Sequence, residues 1–324
     1  MSVVGSETTS LYDQVPYTSL SYSESHPDRL ATTATLFGMS PAPVDRCRVL
    51  ELGCASGGNL IPMAYGLPGS QFLGVDLSSR QIEQGQATIS ELGLDNVALS
   101  PLNILDIDSD LGGFDYIIAH GVYSWVPAAV RDKLFGVCQQ CLAPHGVAYV
   151  SYNTNPGWSM IGVVRDMMLY HTRDISDPLE QVDRARSIVQ FVRDAVPDQS
   201  GAYAAFLRAY SDLLGDPKES SKGSDGSLVL HDELSEVNEP VYFSHFIEHA
   251  GRYGLQYLSE AQYHRTEPHD LSEESVERLE NLAQDRIEYE QYLDFLRNRT
   301  FRQTLLVHSD VALSRKVKPE KLMS

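Results

Sequence analysis

"RVLELGCASGGNL", residues 48–60, decides how the chain folds. An apolar run climbs to Glu51, breaks into the small residues Gly53, Ala55, Ser56, Gly57 and Gly58, and turns apolar again at Leu60. That order predicts a buried strand, a tight loop whose backbone can approach a ligand, and a helix starting near Asn59. Pro62 fits the first helical turn, where the N–H it lacks has no intrahelical partner.

Outward from this stretch the same alternation recurs. "QFLGVDL" (71–77) predicts a second strand ending at Asp76. Ser78 stands at capping-box spacing before Gln81, and Gly93 supplies a stop, so a helix fills the interval. "VALSPLNILDI" (97–107) holds a third strand, and "FDYIIAHGV" (114–122) a fourth whose unbroken apolar run suits burial on both faces. Residues 128–146 read as a helix closed by Pro144 and Gly146, and "VAYVSYNT" (147–154) as a fifth strand. Strands alternating with helices in this way imply a parallel sheet covered by helices.

After Trp158 the alternation stops. Residues 159–173, 178–196 and 199–214 read as helices, and "DPKESSKGSDGS" (216–227) as a polar loop. "FSHFIEHAGRYG" (243–254) is a helix, "LQYLSEAQY" (255–263) a strand, 272–297 one long charged helix, and "RQTLLVH" (302–308) a closing strand. This order suits a seven-stranded sheet whose last strand runs backwards between the fifth and sixth, with a helical insert between strands five and six.

Bulk properties exclude some functions. The chain has 324 residues, 42% of them hydrophobic, enough for a full core. No apolar run of about 18 residues is present, so no membrane span is expected. The N-terminus lacks the pattern of a signal peptide, which makes cytoplasmic the expected setting. A net charge of −19 argues against nucleic acid, whose phosphates need a positive face. Of the cysteines, Cys47, Cys54, Cys138 and Cys141, the last two form a C-x-x-C pair on a helical pattern. No second pair or nearby His completes a metal site, so buried structural thiols and no metal are expected.

Three ligands compete for the glycine loop. A phosphate-gripping loop needs a Lys after its last glycine, and none follows Gly58. A dinucleotide fingerprint fits loosely as Gly53-x-Ala55-x-x-Gly58, with Asp76 at the expected distance for a ribose. S-adenosylmethionine carries no pyrophosphate but has an ammonium, which Glu51 could meet. Asp76 can accept from both ribose hydroxyls, the Asn103 amide can pair with the adenine edge, and Ile104 can cover the ring. Asn59, Leu77 and Gln81 complete the candidate set at the carboxyl ends of the strands, where ligands of open parallel sheets bind. A dinucleotide enzyme usually repeats its mononucleotide half. Here strand five leads instead to the helical insert and a closing pair of strands, which decides for S-adenosylmethionine.

The chain resembles a class I S-adenosylmethionine-dependent methyltransferase. More narrowly, it resembles bacterial protein-lysine methyltransferases of the rickettsial outer-membrane-protein type, which carry a methyltransferase regulatory region. The stretches "YDQVPYTSLSYSESHPDRLATTATLFGM", "VLELGCASGGN", "GVYSWVP", "SYNTNPGW", "HDELSEVNEPVYFSHF" and "FLRNRTFRQTLLVH" carry the likeness, from Leu11 to His308. The resemblance implies methyl transfer, with protein lysines as the best-known acceptors and S-adenosylhomocysteine as product. It also implies an N-terminal lid over the donor (1–45), with Tyr17 and His26 as contacts. A donor-binding core (46–158), a helical regulatory or acceptor insert (159–240), the C-terminal part of the sheet (241–310) and a tail (311–324) follow. Established relatives extend further C-terminally, which leaves the acceptor open.

The expected chemistry needs alignment, desolvation and a neutral acceptor. His120, after strand four, is placed to relay the acceptor's proton or to shape the pocket. Tyr152 and Asn153, after strand five, are placed to meet the acceptor. Tyr123 and Trp125 could wall its channel or pack in the core. Trp158 in "SYNTNPGW" is a further acceptor candidate, and His231 and Glu233 are candidates from the insert, beside a helix cap at Asp232. The alternatives are a small-molecule or natural-product N- or O-methyltransferase, a nicotinamide-dependent oxidoreductase, and a non-catalytic donor-binding protein.

Overall fold

A computed structural model of the chain describes residues 19–197, 199, 201–214 and 229–315. Tyr17, the polar stretch 216–227 and the end of the tail lie outside the described residues. Helix α1 (Pro27–Leu36) opens on His26, whose Nδ1 accepts from the Asp28 N–H at 3.2 Å. His26 thus caps this helix through Nδ1.

Strand β1 (Arg48–Leu52) leads through the glycine loop to α2 (Leu60–Gly66), then β2 (Gln71–Asp76) and α3 (Ser79–Leu92). The Ser78 hydroxyl accepts from the Gln81 N–H, and Gly93 closes the helix in the left-handed region, as the spacing predicted. Next come β3 (Val97–Pro101), β4 (Phe114–Ala119), α4 (Ala128–Cys141) and β5 (Leu142–Asn153). Strand β3 ends before Asn103, which caps a short 3-10 turn over Ile104–Asp106. Strand β5 begins earlier, taking in Pro144 and Gly146. Its register against β4 is irregular between Phe114 and Tyr116, which lets a proline sit near the strand's start.

The described residues between 159 and 238 form one compact unit, distinct from 19–158 and 239–315. The helical unit contains most of α5 (Gly157–Thr172), then α6 (Pro178–Ala195) and α7 (Ala202–Leu214), and ends in a π turn at Val229–Glu233. Its core gathers Val164, Met168, Ala185, Val189, Leu207 and Tyr210. Asp177 caps α6, accepting from the Glu180 N–H at 2.8 Å with Pro178 in the first turn.

The sheet unit resumes with α8 (Phe243–Gly251), β6 (Leu255–Glu260), α9 (Glu273–Leu282), α10 (Arg286–Arg297) and β7 (Phe301–His308). One long helix over 272–297 was expected. It breaks because Asp285 caps α10, accepting from the Ile287 and Glu288 N–H groups at 2.8 and 2.9 Å. The strand order is β3-β2-β1-β4-β5-β7-β6, with β7 antiparallel to both neighbours. Alternate residues of each strand feed separate cores. Tyr116, Ile118, Val147 and Tyr149 pack on one face, and Ile117, Ala119, Ala148, Val150 and Tyr152 on the other. All four cysteines are buried and unpaired with one another, and burial pushes the Cys138 thiol up to about 12. Among the described residues no helix is long and apolar enough to cross a membrane, and no cluster of His, Cys, Asp or Glu could hold a metal ion.

Candidate active site

The glycine loop is tied to β2. The N–H groups of Gly53 and Cys54 donate to Val75 O at 2.8 and 3.1 Å, and that of Ala55 to Asp76 Oδ2 at 2.9 Å. Asp76 Oδ1 takes the Ser78 N–H, also at 2.9 Å. The turn needs positive φ at Gly53 (+73°) and, unusually for a residue with a Cβ, at Ala55 (+49°). Gly58 is fixed by close approach instead. A Cβ there would lie 2.6 Å from Ser19 O, and its N–H donates to Ser19 Oγ at 2.8 Å.

Glu51, at the end of β1, is 2% exposed. Its Oε1 accepts from Asn59 Nδ2 at 2.7 Å, and its buried Oε2 has no partner. Burial lifts its carboxyl to about 8 against the opposing Asn59 hydrogen bond, with the nearby Asp76 charge adding to the rise. A buried acid with an unmatched oxygen at the carboxyl end of a parallel strand suits a cationic group, as the methionine ammonium of S-adenosylmethionine requires. The residues present therefore fit that cofactor.

The other donor-site candidates follow β2 (Leu77, Gln81) and β3 (Asn103, Ile104). Asn103 Oδ1 takes the Leu105 N–H at 3.0 Å, which leaves its amide N–H2 to donate to a base. Ile104 is half-buried, Leu77 is 69% exposed, and Gln81 is buried with an unmatched Oε1.

His120 follows β4. Its Nδ1 lies 2.9 Å from Tyr149 Oη, and its ring stacks on Tyr22 with centroids 3.5 Å apart. Burial holds the imidazole down at about 4, with Glu24 pulling weakly the other way, so it is neutral near pH 7. The Tyr22 N–H in turn donates to Asn59 Oδ1 at 2.9 Å. A continuous chain of contacts therefore runs from Glu51 through Asn59 and Tyr22 to His120. Tyr22, Glu24 and Tyr149 were not singled out from sequence. Tyr22 and Glu24 lie in "YTSLSYSESHPDRL", which carries part of the resemblance.

Tyr152 is not placed as expected, and of the two readings of Tyr123 the structure favours core packing. Tyr152 is fully buried, stacked on Phe246 at 3.9 Å with its hydroxyl 3.0 Å from Thr304 Oγ1. Tyr123 is 2% exposed, packed on Phe135 and Phe246, with its hydroxyl 2.8 Å from His249 Nδ1. Both belong to the core on the sheet face opposite Tyr149, and neither side chain is exposed to a channel. Asn153 is buried, its N–H on Ser124 Oγ at 2.9 Å. Trp125 is half-buried in a 3-10 turn, and Trp158 is buried at the start of α5. His231 and Glu233 lie in the π turn of the helical unit, and Asp232 beside them is inside that turn and caps no α-helix.

The sheet order with a reversed β7, the glycine loop and the acids at the ends of β1 and β2 define the class I methyltransferase fold. Residues 50–148 match a family model described as a methyltransferase domain, and residues 225–308 one described as a predicted methyltransferase regulatory domain. The chain is 42% identical over 306 residues to the uncharacterized protein RP789 of Rickettsia prowazekii, covering 94% of this chain and 54% of that one. It is 42% identical over 239 residues to the uncharacterized protein RP028 of the same organism, covering 74% of this chain and 93% of that one. The structure of PKMT2 from Rickettsia typhi in complex with AdoHcy matches with a TM-score of 0.83 and 39% identity, over 95% of this chain and 57% of that one. The chain belongs to the class I S-adenosylmethionine-dependent methyltransferase family, in the branch with the regulatory region. The nicotinamide alternative falls with that assignment. The chain spans little more than half the length of RP789 and PKMT2. The regulatory match coincides mainly with α8 to β7, not with the 159–240 insert expected to bear that name.

Proposed function

We propose that the chain transfers a methyl group from S-adenosylmethionine to an amine, with a lysine side chain of a protein or peptide as acceptor. The observation that carries this reading is His120, a neutral imidazole held between Tyr22 and Tyr149 and joined by contacts to the Glu51 end of the crevice. The likeness to PKMT2 supports the choice of acceptor. A cytoplasmic setting is part of the same reading.

Bound S-adenosylmethionine supplies a methyl group already activated by a sulfonium charge. The chain's own residues position it, exclude water and keep the acceptor neutral. Glu51, with Asn59, receives the ammonium. Asp76 accepts from the ribose hydroxyls through lone pairs left over from the Ala55 and Ser78 N–H groups. The amide N–H2 of Asn103 meets the base edge. A lysine arrives protonated, with an ordinary pKa of about 10.4. Neutral His120, oriented by Tyr149, adds no like charge to repel the lysine, and held at about 4 it can relay the proton toward solvent but not keep it.

Incubating the protein and a cell extract with tritiated donor tests the proposal. Label in protein bands is the expected result. Label confined to small molecules would move the acceptor to that class, and donor binding without any transfer would leave a non-catalytic binding protein.

A further inference from the structure

Glu24 lies in the 3-10 turn Ser23–Ser25, and that turn is fixed to the Glu51 end of the crevice. The hydroxyl of fully buried Ser25 donates to Tyr22 O at 2.9 Å and accepts from Asn59 Nδ2 at 3.1 Å. Glu24 Oε1 accepts from Gln262 Nε2 at 3.1 Å, and the same amide reaches Gln303 Oε1 at 3.3 Å. Gln303 lies beside the Tyr149 hydroxyl, which meets His120, and the His120 ring stacks on Tyr22. The contacts close on themselves: Tyr22, Glu24, Gln262, Gln303, Tyr149 and His120 form one ring.

Tyr149 is the buried floor of this ring, and the other members are half-buried, so it opens to solvent. His120 follows β4, and Gln303 stands near the start of β7, which runs against β5. Both therefore lie at the carboxyl ends of the parallel strands, where ligands of such sheets bind. Glu24 is the ring's only acid, and the ring holds no cation, because burial keeps His120 neutral near pH 7. The hydrogen-bond donor to Glu24 is a neutral amide, and among the described residues no cation pairs with it. Glu260, close by on β6, is instead matched by Arg302. A carboxylate left without a counter-ion at an open site favours a ligand that brings one, through a hydrogen bond stronger than a neutral amide makes.

We propose that Glu24 selects a cationic methyl acceptor, its carboxylate receiving the ammonium of the incoming amine beside His120. This rests on the amine reading given under Proposed function. One proton then leaves the amine nitrogen for the imidazole and passes on to water. The Glu24 charge offsets part of what burial costs the transient imidazolium, so an amine received as a cation is not trapped in that form.

Glu24→Gln removes the charge and keeps an oxygen for Gln262. Calorimetry on the full chain saturated with S-adenosylhomocysteine, titrated with a peptide of one lysine between glycines, reads the effect. Wild type and the surface control Glu274→Gln should bind the peptide equally, and Glu24→Gln about tenfold more weakly. Acetylating the lysine should weaken binding to wild type by a similar factor and make it insensitive to Glu24→Gln. In methyl transfer at pH 7, the variant should raise KM for the lysine peptide about tenfold with kcat within about twofold. No binding of the lysine peptide by wild type, equal binding by wild type and Glu24→Gln, or an equal loss with the acetylated peptide overturns the assignment. So does a matching loss of S-adenosylhomocysteine affinity, since Glu24 would then act on the donor. If the peptide binds through Glu24 and is never methylated, the recognition stands and the proposed amine transfer fails.

Discussion

Arg302 on β7 and Asp294 on α10 form a two-pronged pair sealed from water, with Nε and Nη2 at 2.8 and 2.9 Å from the two carboxylate oxygens. The same guanidinium reaches Glu260 Oε1 at 2.6 Å and Glu290 Oε2 at 3.1 Å, and lies 3.8 Å over the Phe243 ring. Burial alone would lower the arginine's proton affinity, but Glu260, Asp294 and Glu290 more than reverse that and hold it well above its ordinary value. Strands β6 and β7 and helix α10 are thus pinned at one buried cation within the regulatory match.

Arg302→Met should therefore be among the most damaging single changes in the chain. It leaves Glu260, Glu290 and Asp294 buried without their shared partner, and removing one member of such a set costs about 3–5 kcal/mol. Chemical denaturation measures the loss. Arg302→Lys should recover only part of it, because an ammonium cannot fork to two oxygens. Wild-type stability in the methionine variant would mean that the network is dispensable.

Asp76→Ala bears on the donor site. Asp76 anchors the glycine loop through Ala55 and Ser78, and it is the acid assigned to the ribose. Losing a charged acceptor weakens binding by about 1.5–3 kcal/mol. Calorimetric titration with S-adenosylhomocysteine, alongside circular dichroism to confirm the fold, should show that drop. Unchanged affinity would remove Asp76 from the site.

The candidate donor half of the site was readable because its parts are local. Glu51, Gly53 and Ala55 follow one strand, Asp76 ends the next, and the Ser78–Gln81 spacing announces a helix. The proposed acceptor half depends on residues far apart in sequence, Tyr22 against His120 and His120 against Tyr149, and no local pattern marks such pairs. Tyr149 and Tyr152 illustrate the limit. Odd spacing puts them on opposite faces, but β5 is buried on both, so no polar alternation tells which face meets the ligand. The break before α10 had a visible signal, Asp285 three residues ahead of Glu288, a capping pattern hidden within a charged run.

Ala55 holds φ at +49°, a region that costs a residue with a Cβ roughly 1–2 kcal/mol. Ala55→Gly relieves this but adds backbone freedom to the unfolded chain, worth about 0.4–1 kcal/mol. The balance favours the variant by a few tenths to about 1 kcal/mol, visible as a higher denaturation midpoint. A clear loss of stability would show that the Ala55 methyl makes contacts worth more than the strain.

His120 should make the protein sensitive to acid. Its folded pKa of about 4 lies below the ordinary 6.5, so its neutral form is favoured by folding. The stability it contributes is complete above pH 6.5 and is lost as pH falls toward 4. His120→Gln should flatten that part of the stability profile. It should also lower kcat by about 10²-fold if the imidazole relays the acceptor's proton toward solvent. A variant with full activity would reduce His120 to a pocket wall.

Glu51 has the opposite pH dependence. Its folded pKa of about 8 exceeds the ordinary 4.5, so the folded chain keeps a proton that the unfolded chain releases. Stability from this group is present below pH 4.5 and is lost as pH rises toward 8. Glu51→Gln should abolish that decline and be more stable than wild type at pH 8. Donor binding reads the same carboxyl. At pH 7 Glu51 is largely protonated, and an arriving ammonium favours the ionised form, so binding should release a proton. Calorimetry of S-adenosylhomocysteine binding in buffers of different ionisation enthalpy measures that release. Wild type should release a fraction of a proton at pH 7 and Glu51→Gln none. Equal proton release by the two proteins would place the ammonium elsewhere, even if affinity fell in the variant.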